Sequence, residues 1–214
     1  MTTATNTTDR GLISLSREVI VLASASATRR AMLERAGLVV EIDSPRTDED
    51  KIKRSMRAGG FDAAAMAEAL AEQKARGVAR RHAGTLVLGA DQILECDGKS
   101  FDKPNDLDTA RNQLHELSAR HHELVSAACI VQDGERLWHV VDRARLWIRP
   151  LGEEFIECYL RAIGDAAFTG PGSYQVEGLG AQLFQRVEGD HFTILGLPLL
   201  PLLDFLRARG VLLA

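Results

Sequence analysis

Asp91 stands inside Val87-Leu-Gly-Ala-Asp-Gln-Ile-Leu94, an apolar run that reads as a buried strand. A carboxylate is costly to bury there unless a cation or hydrogen-bond donors reach it. So placed, it suits proton transfer or the holding of a metal ion. A second pattern runs from Leu22 to Gly37, Leu-Ala-Ser-Ala-Ser-Ala-Thr-Arg-Arg-Ala-Met-Leu-Glu-Arg-Ala-Gly. Two serines mark a turn, Ser26 suits a helix N-cap, and Arg29 and Arg30 fall in the helix's opening turns. Free N–H groups at a helix start, joined by forked arginine donors, suit an anionic ligand such as phosphate. The same residues also suit an ordinary strand-to-helix connection whose arginines face water. Lys103 adds a cation in Phe101-Asp-Lys-Pro-Asn-Asp106, where Pro104 stiffens the loop. Asp48-Glu49-Asp50 reads either as a solvated acidic run or as oxygen ligands for a hard cation.

The elements that must position these groups can be read from pattern. Val19–Ala23 and residues 38–42 read as strands around a helix over residues 28–36, with Gly37 beyond its end. Residues 43–60 read as charged and irregular. An alanine-rich helix follows over Phe61–His82 and carries Lys74. Asp97-Gly98 and Asp133-Gly134 predict two hairpins, over residues 85–101 and 122–149, because Asp-Gly accepts positive φ. Asp106 caps a helix over 107–118, and a further helix covers 153–163. Residues 164–180 read as a glycine-rich, ligand-facing loop. A strand over 181–187 and a closing helix over 197–208 complete the chain. The class is α/β with a mixed sheet. Alternation of Arg143 and Arg145 with Ala144 and Leu146 gives a strand with one wet face.

The composition excludes several classes. With 214 residues, 45% hydrophobic, the chain can bury a proper core. A net charge of −4 and a pI near 5.9 argue against nucleic-acid binding. No apolar run approaches the ~20 residues of a membrane span. Cys96, Cys129 and Cys158 show no metal spacing and read as reduced thiols in a cytoplasmic protein. None of the six histidines has ligand spacing, so all read as structural or surface groups. Residues 1–17, rich in Thr and Ser, read as a flexible N-terminal extension.

Two more segments, Gly172-Ser-Tyr-Gln-Val-Glu-Gly178 and Val187-Glu-Gly-Asp-His-Phe-Thr-Ile-Leu-Gly-Leu-Pro-Leu199, complete an ordered set of five motifs. Together they closely resemble the Maf family, named for septum-formation inhibition, whose members are nucleoside triphosphate pyrophosphatases. The likeness runs from about Val19 to the C-terminus. It implies one two-lobed domain over 18–214, with a deep central groove similar to the inosine triphosphatase fold. It implies Asp91 and Glu49 as catalytic and metal-holding carboxylates, for Mg²⁺ or Mn²⁺, with Arg29, Lys74 and Lys103 facing the phosphates and Ser24 approaching them through its hydroxyl and N–H. Lys74 is singled out by the resemblance alone, since a lone helix lysine is usually a solvated charge.

The chain carries Ala25 and Ala27 where the family usually has Gly and Pro, so a close approach of the turn to phosphate is in question. The resemblance implies that specificity rests on Thr28, Gln92 and Glu177. Gln92 and Glu177 match the subgroup resembling 7-methyl-GTP pyrophosphatases, while Thr28 fits neither subgroup. The expected reaction converts a nucleoside triphosphate to the monophosphate and pyrophosphate, with modified or purine-like substrates such as 7-methyl-GTP preferred. The alternatives are a dTTP/UTP pyrophosphatase and a non-catalytic nucleotide-binding regulator of division. A homodimer is allowed for; no nucleic-acid or membrane partner is expected.

Overall fold

The structure, a computed structural model, describes residues 18–213. The expected extension over 1–17 lies outside the described residues. A seven-stranded mixed sheet organises the chain. Its strands are β1 (Val19–Leu22), β2 (Val39–Ile42), β3 (Leu86–Cys96), β4 (Lys99–Phe101), β5 (His121–Gln132), β6 (Glu135–Ile148) and β7 (Phe184–Glu188). They lie in the order β2-β1-β3-β5-β6-β7, with β4 paired to the far end of β3. β1 runs parallel to β2 and β3, and every other pairing is antiparallel. The mixed α/β class expected from the sequence is thus the class observed.

Both hairpins turn where Asp-Gly stands. Asp97 and Gly98 have φ of 51° and 78°, Asp133 and Gly134 of 51° and 85°. The helices are α1 (Ala27–Arg35), α2 (Glu49–Ala58), α3 (Ala63–Ala79), α4 (Leu107–Leu117), α5 (Glu153–Ile163), α6 (His191–Ile194) and α7 (Leu199–Ala208). Side chains of Ser26, Asp48, Asp62, Asp106 and Asp190 cap five of them by accepting a backbone N–H.

Four expectations need correction. Residues 43–60 are not irregular throughout, because Asp48 starts α2 there. The loop over 164–180 contains short 3₁₀ turns, Gly164–Phe168 and Pro171–Ser173, with another at Leu179–Leu183. That last turn delays the strand expected from 181, so β7 begins at Phe184. The alanine-rich helix is also shorter than expected, since Asp62 caps it and Phe61 stays outside.

The pleat sorts β3 between two faces. Leu86, Leu88 and Ala90 join β1, α1 and α7 in one apolar cluster. Leu94 and Cys96, further along the same face, join α4 and α5 in another. Val87 and Ile93 face the opposite side, under α3. There Ala63, Ala67, Ala71, Ala75 and Ala79 recur every fourth residue, all 5% exposed or less. This flat stripe lets α3 lie close on β3 at Gly89, where a Cβ would meet the Ala71 carbonyl oxygen at 2.0 Å. Close approach at Gly89 sets the helix low enough for Lys74 to reach the next residue but one on β3, Asp91.

Near the far cluster, His122 is buried, and its Nε2 lies 2.5 Å from the Tyr174 hydroxyl. Burial and the neighbouring His121 lower its pKa from 6.5 to about 4. Cys96 and Cys129 are buried free thiols, and Cys158 is exposed.

Two predictions follow from this packing. Gly89→Val should lower the unfolding free energy by about 3 kcal/mol in urea denaturation. Gly77→Ala, where a Cβ meets open space, should leave it unchanged or higher. For His122 the unfolded chain takes a proton near pH 6.5 and the folded chain only near pH 4. The unfolded state therefore binds more protons between those values, and stability falls as pH falls through that window. The slope is about 1.4 kcal/mol per pH unit. Denaturation midpoints for wild type and His122→Asn across that range should converge towards pH 4.

Candidate active site

The centre of the site is a buried ion cluster. Lys74 Nζ on α3 lies 2.6 Å from Asp91 Oδ1 and 3.0 Å from Glu49 Oε1. Lys74 and Asp91 are each only 5% exposed, and Glu49 is the more open partner. Each element delivers one charge: the alanine stripe of α3 brings Lys74, the inner strand β3 brings Asp91, and the first residue of α2 brings Glu49. Asp91 Oδ2 is buried and has no hydrogen-bond partner. A buried acceptor without a partner is the atom for which the protein itself supplies nothing.

The turn after β1 brings in the next pair. The side-chain oxygen of Ser26 accepts from Arg29 N, which starts α1. The Arg29 side chain is then held from two sides. Its Nε donates to Gly196 O at 2.8 Å, and Nη1 to Ala90 O at 2.9 Å and to Ser24 Oγ at 3.4 Å. Nη2 carries the N–H groups left over. Burial pulls the Arg29 pKa down, while the charges of Asp91 and Glu49 oppose that shift. Arg29 is thus both a brace between β3 and the segment after α6 and a fixed cation.

Ser24 is buried, and its role is narrower than expected. Its N–H is taken by Leu22 O at 2.9 Å, and its Oγ accepts from Ser26 N. Only the hydroxyl proton remains to donate outward. Ala25 has no positive φ, so this turn does not require glycine there.

Lys103 opens to solvent, yet partial desolvation together with the charges of Arg29 and Lys74 holds its pKa below the ordinary value. The structure therefore brings Ser24, Arg29, Lys74, Asp91, Glu49 and Lys103 into one neighbourhood. Two carboxylates with spare oxygens suit Mg²⁺ or Mn²⁺, which take one or two carboxylates and complete their shell with phosphate and water. Among the described residues no group of three His, Cys, Asp or Glu forms a ready-made metal cage.

The three residues expected to read the base are dispersed around this centre. Thr28 is exposed at the start of α1. Glu177 is exposed, its Oε1 lying 3.4 Å from His191 Nε2. Gln92 is half-buried beside Arg29. Its Nε2 donates to Ser126 Oγ at 3.0 Å and to Thr193 O and Ile194 O, both at 3.1 Å. Backbone carbonyls accept only, so the amide orientation is fixed and Oε1 is the end left free.

The sequence reading missed the groups behind Gln92. Gln92, Ser126 and Asp142 stand opposite one another on β3, β5 and β6. Thr193 seals the row: its Oγ1 donates to Asp142 Oδ2 at 2.6 Å, and its carbonyl accepts from Ser126 Oγ at 2.8 Å. Ser126 was visible as a polar residue within Leu124-Val-Ser-Ala-Ala-Cys-Ile-Val131, the same kind of signal that exposed Asp91. Gly196 carried no signal, since only its carbonyl takes part.

Arg29→Lys keeps the charge and loses the fork that reaches both carbonyls. It should destabilise the fold by about 1–3 kcal/mol, the cost of leaving such acceptors unpaired. Thermal unfolding checks this, with Arg30→Lys as the control on an exposed, solvent-screened pair.

Comparisons with known proteins bear on the family of the whole chain. The profile described as Maf-like protein matches residues 19–209. A nucleoside triphosphate pyrophosphatase of Paramagnetospirillum magneticum is 51% identical over 192 residues, covering 90% of this chain and 99% of its own. A 7-methyl-GTP pyrophosphatase of Rhizobium meliloti is 44% identical over 196 residues, covering 92% and 98%. A solved nucleoside-triphosphatase / dITP/XTP pyrophosphatase of Mycobacterium abscessus overlaps 62% of this chain and 75% of its own, at a TM-score of 0.39 and 21% identity. That last overlap is too loose to build on. The profile and the full-length relatives suffice: the chain belongs to the Maf-like protein family.

Proposed function

We propose that this protein hydrolyses a nucleoside triphosphate at the bond between the α- and β-phosphates, giving the monophosphate and pyrophosphate. The observation that carries this reading is the unpartnered Asp91 Oδ2, buried beside Lys74, Glu49 and Arg29. In the reaction a water oxygen bonds to the α-phosphorus and the bond to the β-phosphate oxygen breaks. Asp91 Oδ2 orients that water and receives its proton. Lys74 bonds the other oxygen of the same carboxylate and keeps it from turning. The free N–H groups of Arg29, the Ser24 hydroxyl and Lys103 receive the departing pyrophosphate. A divalent cation held by Glu49 and Asp91 would neutralise phosphate charge as the bond breaks.

The substrate we favour is 7-methyl-GTP or a related purine triphosphate. Gln92 offers an acceptor, and Glu177 adds a carboxylate that can accept from a guanine edge or pair with the charge of a methylated ring. A relative named for 7-methyl-GTP at 44% identity supports the same choice. Thr28 offers no ring to stack on the base, so discrimination should be looser than with an aromatic residue there.

A parallel assay of 7-methyl-GTP, GTP, dTTP and UTP tests this reading. Pyrophosphate should appear with Mg²⁺ or Mn²⁺ and fall to background on chelation. Asp91→Asn should lose about 10²–10⁴-fold in rate while staying folded. Orthophosphate and a diphosphate as products would refute the reaction. Fastest turnover of dTTP or UTP, or an unchanged ranking in Glu177→Gln, would refute the substrate alone.

A further inference from the structure

α2 buries no side chain completely, yet it supplies Glu49. What seats the helix is therefore a question its own packing does not answer. Ile52 and Met56, one turn apart, are partly buried against the apolar cluster under α3. Glu49, Lys53 and Arg57, also spaced by four, form a polar stripe beside them. Glu49 meets Lys74, as described above. The other two converge on one carboxylate: Lys53 Nζ lies 2.9 Å from Asp102 Oδ1, and Arg57 Nη2 lies 3.0 Å from Asp102 Oδ2.

Asp102 directly precedes Lys103. Its own backbone is anchored, because its carbonyl accepts from Gln113 Nε2 at 2.8 Å. Gln113 is buried, and its Oε1 accepts from Gly172 N at 2.9 Å. The loop bearing Lys103 is thus tied at Asp102 twice, through its carbonyl to α4 and the Gly172 turn and through its side chain to α2. The Lys53 side chain is only 15% exposed. Desolvation opposes its charge, yet its pKa is raised, through Asp102 first and then Asp91 and Glu49. Asp102 is correspondingly held below its ordinary value by Lys53 and Arg57 against its own desolvation.

We propose that Asp102 is a positioning residue for the reaction: it clamps Lys53 and Arg57, and thereby holds Glu49 of α2 and Lys103 of its own loop across the phosphate site from one another. The clamp touches neither substrate nor reacting atoms. It acts by setting where two groups that do so are held. Without it, among the described residues, α2 is seated by the Ile52 and Met56 contact and the Glu49–Lys74 pair. This inference rests on the pyrophosphatase reading for its catalytic consequence but not for its structural one.

The test combines hydrogen exchange with steady-state kinetics on Asp102→Asn, Asp102→Glu and Glu49→Gln, using 7-methyl-GTP, GTP, dTTP and UTP. Asp102→Asn should speed amide exchange across residues 49–58 while leaving α4 and β3 protected. Its kcat should fall about tenfold or more, with a smaller change in KM, as a displaced rather than deleted group does. Asp102→Glu, which restores the charge, should recover most of both. Wild-type exchange over α2 in Asp102→Asn would overturn the proposal. So would wild-type kcat in that variant when Glu49→Gln is impaired. If wild type releases no pyrophosphate from any of the four nucleotides, the pyrophosphatase reading fails and the exchange result alone decides the clamp.

Discussion

One buried contact governs the arrangement of the rest: the Lys74–Asp91 pair between α3 and β3. Two charges at 5% exposure offset each other's burial cost in a weakly polar interior, and Lys74 keeps Glu49 as a second partner. The pair therefore demands that a helix approach a strand unusually closely, and the sequence answers with alanine every fourth residue and glycine at 89. Glu49 then adds a second carboxylate on the side open to solvent, and both carboxylates act on the nearby Arg29. The contact leaves Asp91 with one oxygen engaged and one waiting, which separates the structural demand on this carboxylate from its chemical use.

The opposite face of β3 solves a different problem. Leu88 and Ala90 belong to one apolar cluster and Leu94 to another, with Gln92 between them. The row Gln92–Ser126–Asp142 lies in the gap, closed by Thr193 and the carbonyls of α6. A gap of this kind would be weak if half-satisfied, but each member has a defined donor or acceptor. Arg29 works along the same seam, joining Ala90 to Gly196. Both faces of one strand thus lead to the same place, with charge on one side and hydrogen-bonding groups on the other.

How much of this could be read beforehand depends on how local the cause is. The Asp-Gly turns, the Ser26 cap and the isolated Asp91 are each visible within a few residues; the turns and the cap form where read, and Asp91 lies buried in a strand beside a cation. α2 was not visible, because Ile52 and Met56 are its only large apolar residues and its ion pairs reach Asp102, far along the chain. The Ser24 N–H looked available because its engagement by Leu22 O follows from the path of the turn, which residue types do not specify. Lys74 could be singled out only by resemblance, since nothing in its local sequence separates it from a solvated lysine.

The long strands β3, β5 and β6 have a mechanical consequence. Each runs past the site as one strand, the β5–β6 pairing shifting register only between Ile130 and Val131, and β3 and β5 contribute residues to apolar clusters at both ends. Three continuous ribbons, hydrogen-bonded along their length, act as a leaf spring and not as a pivot. Within these three strands no short loop is present to absorb the large dihedral change that a hinge requires. Any tightening around a bound molecule must come from the parts carried on the sheet, such as α2 and the turns beside α6, while the sheet itself can only twist. A stiff base with small moving attachments keeps Gln92, Ser126 and Asp142 in fixed register across three strands, whatever the occupant.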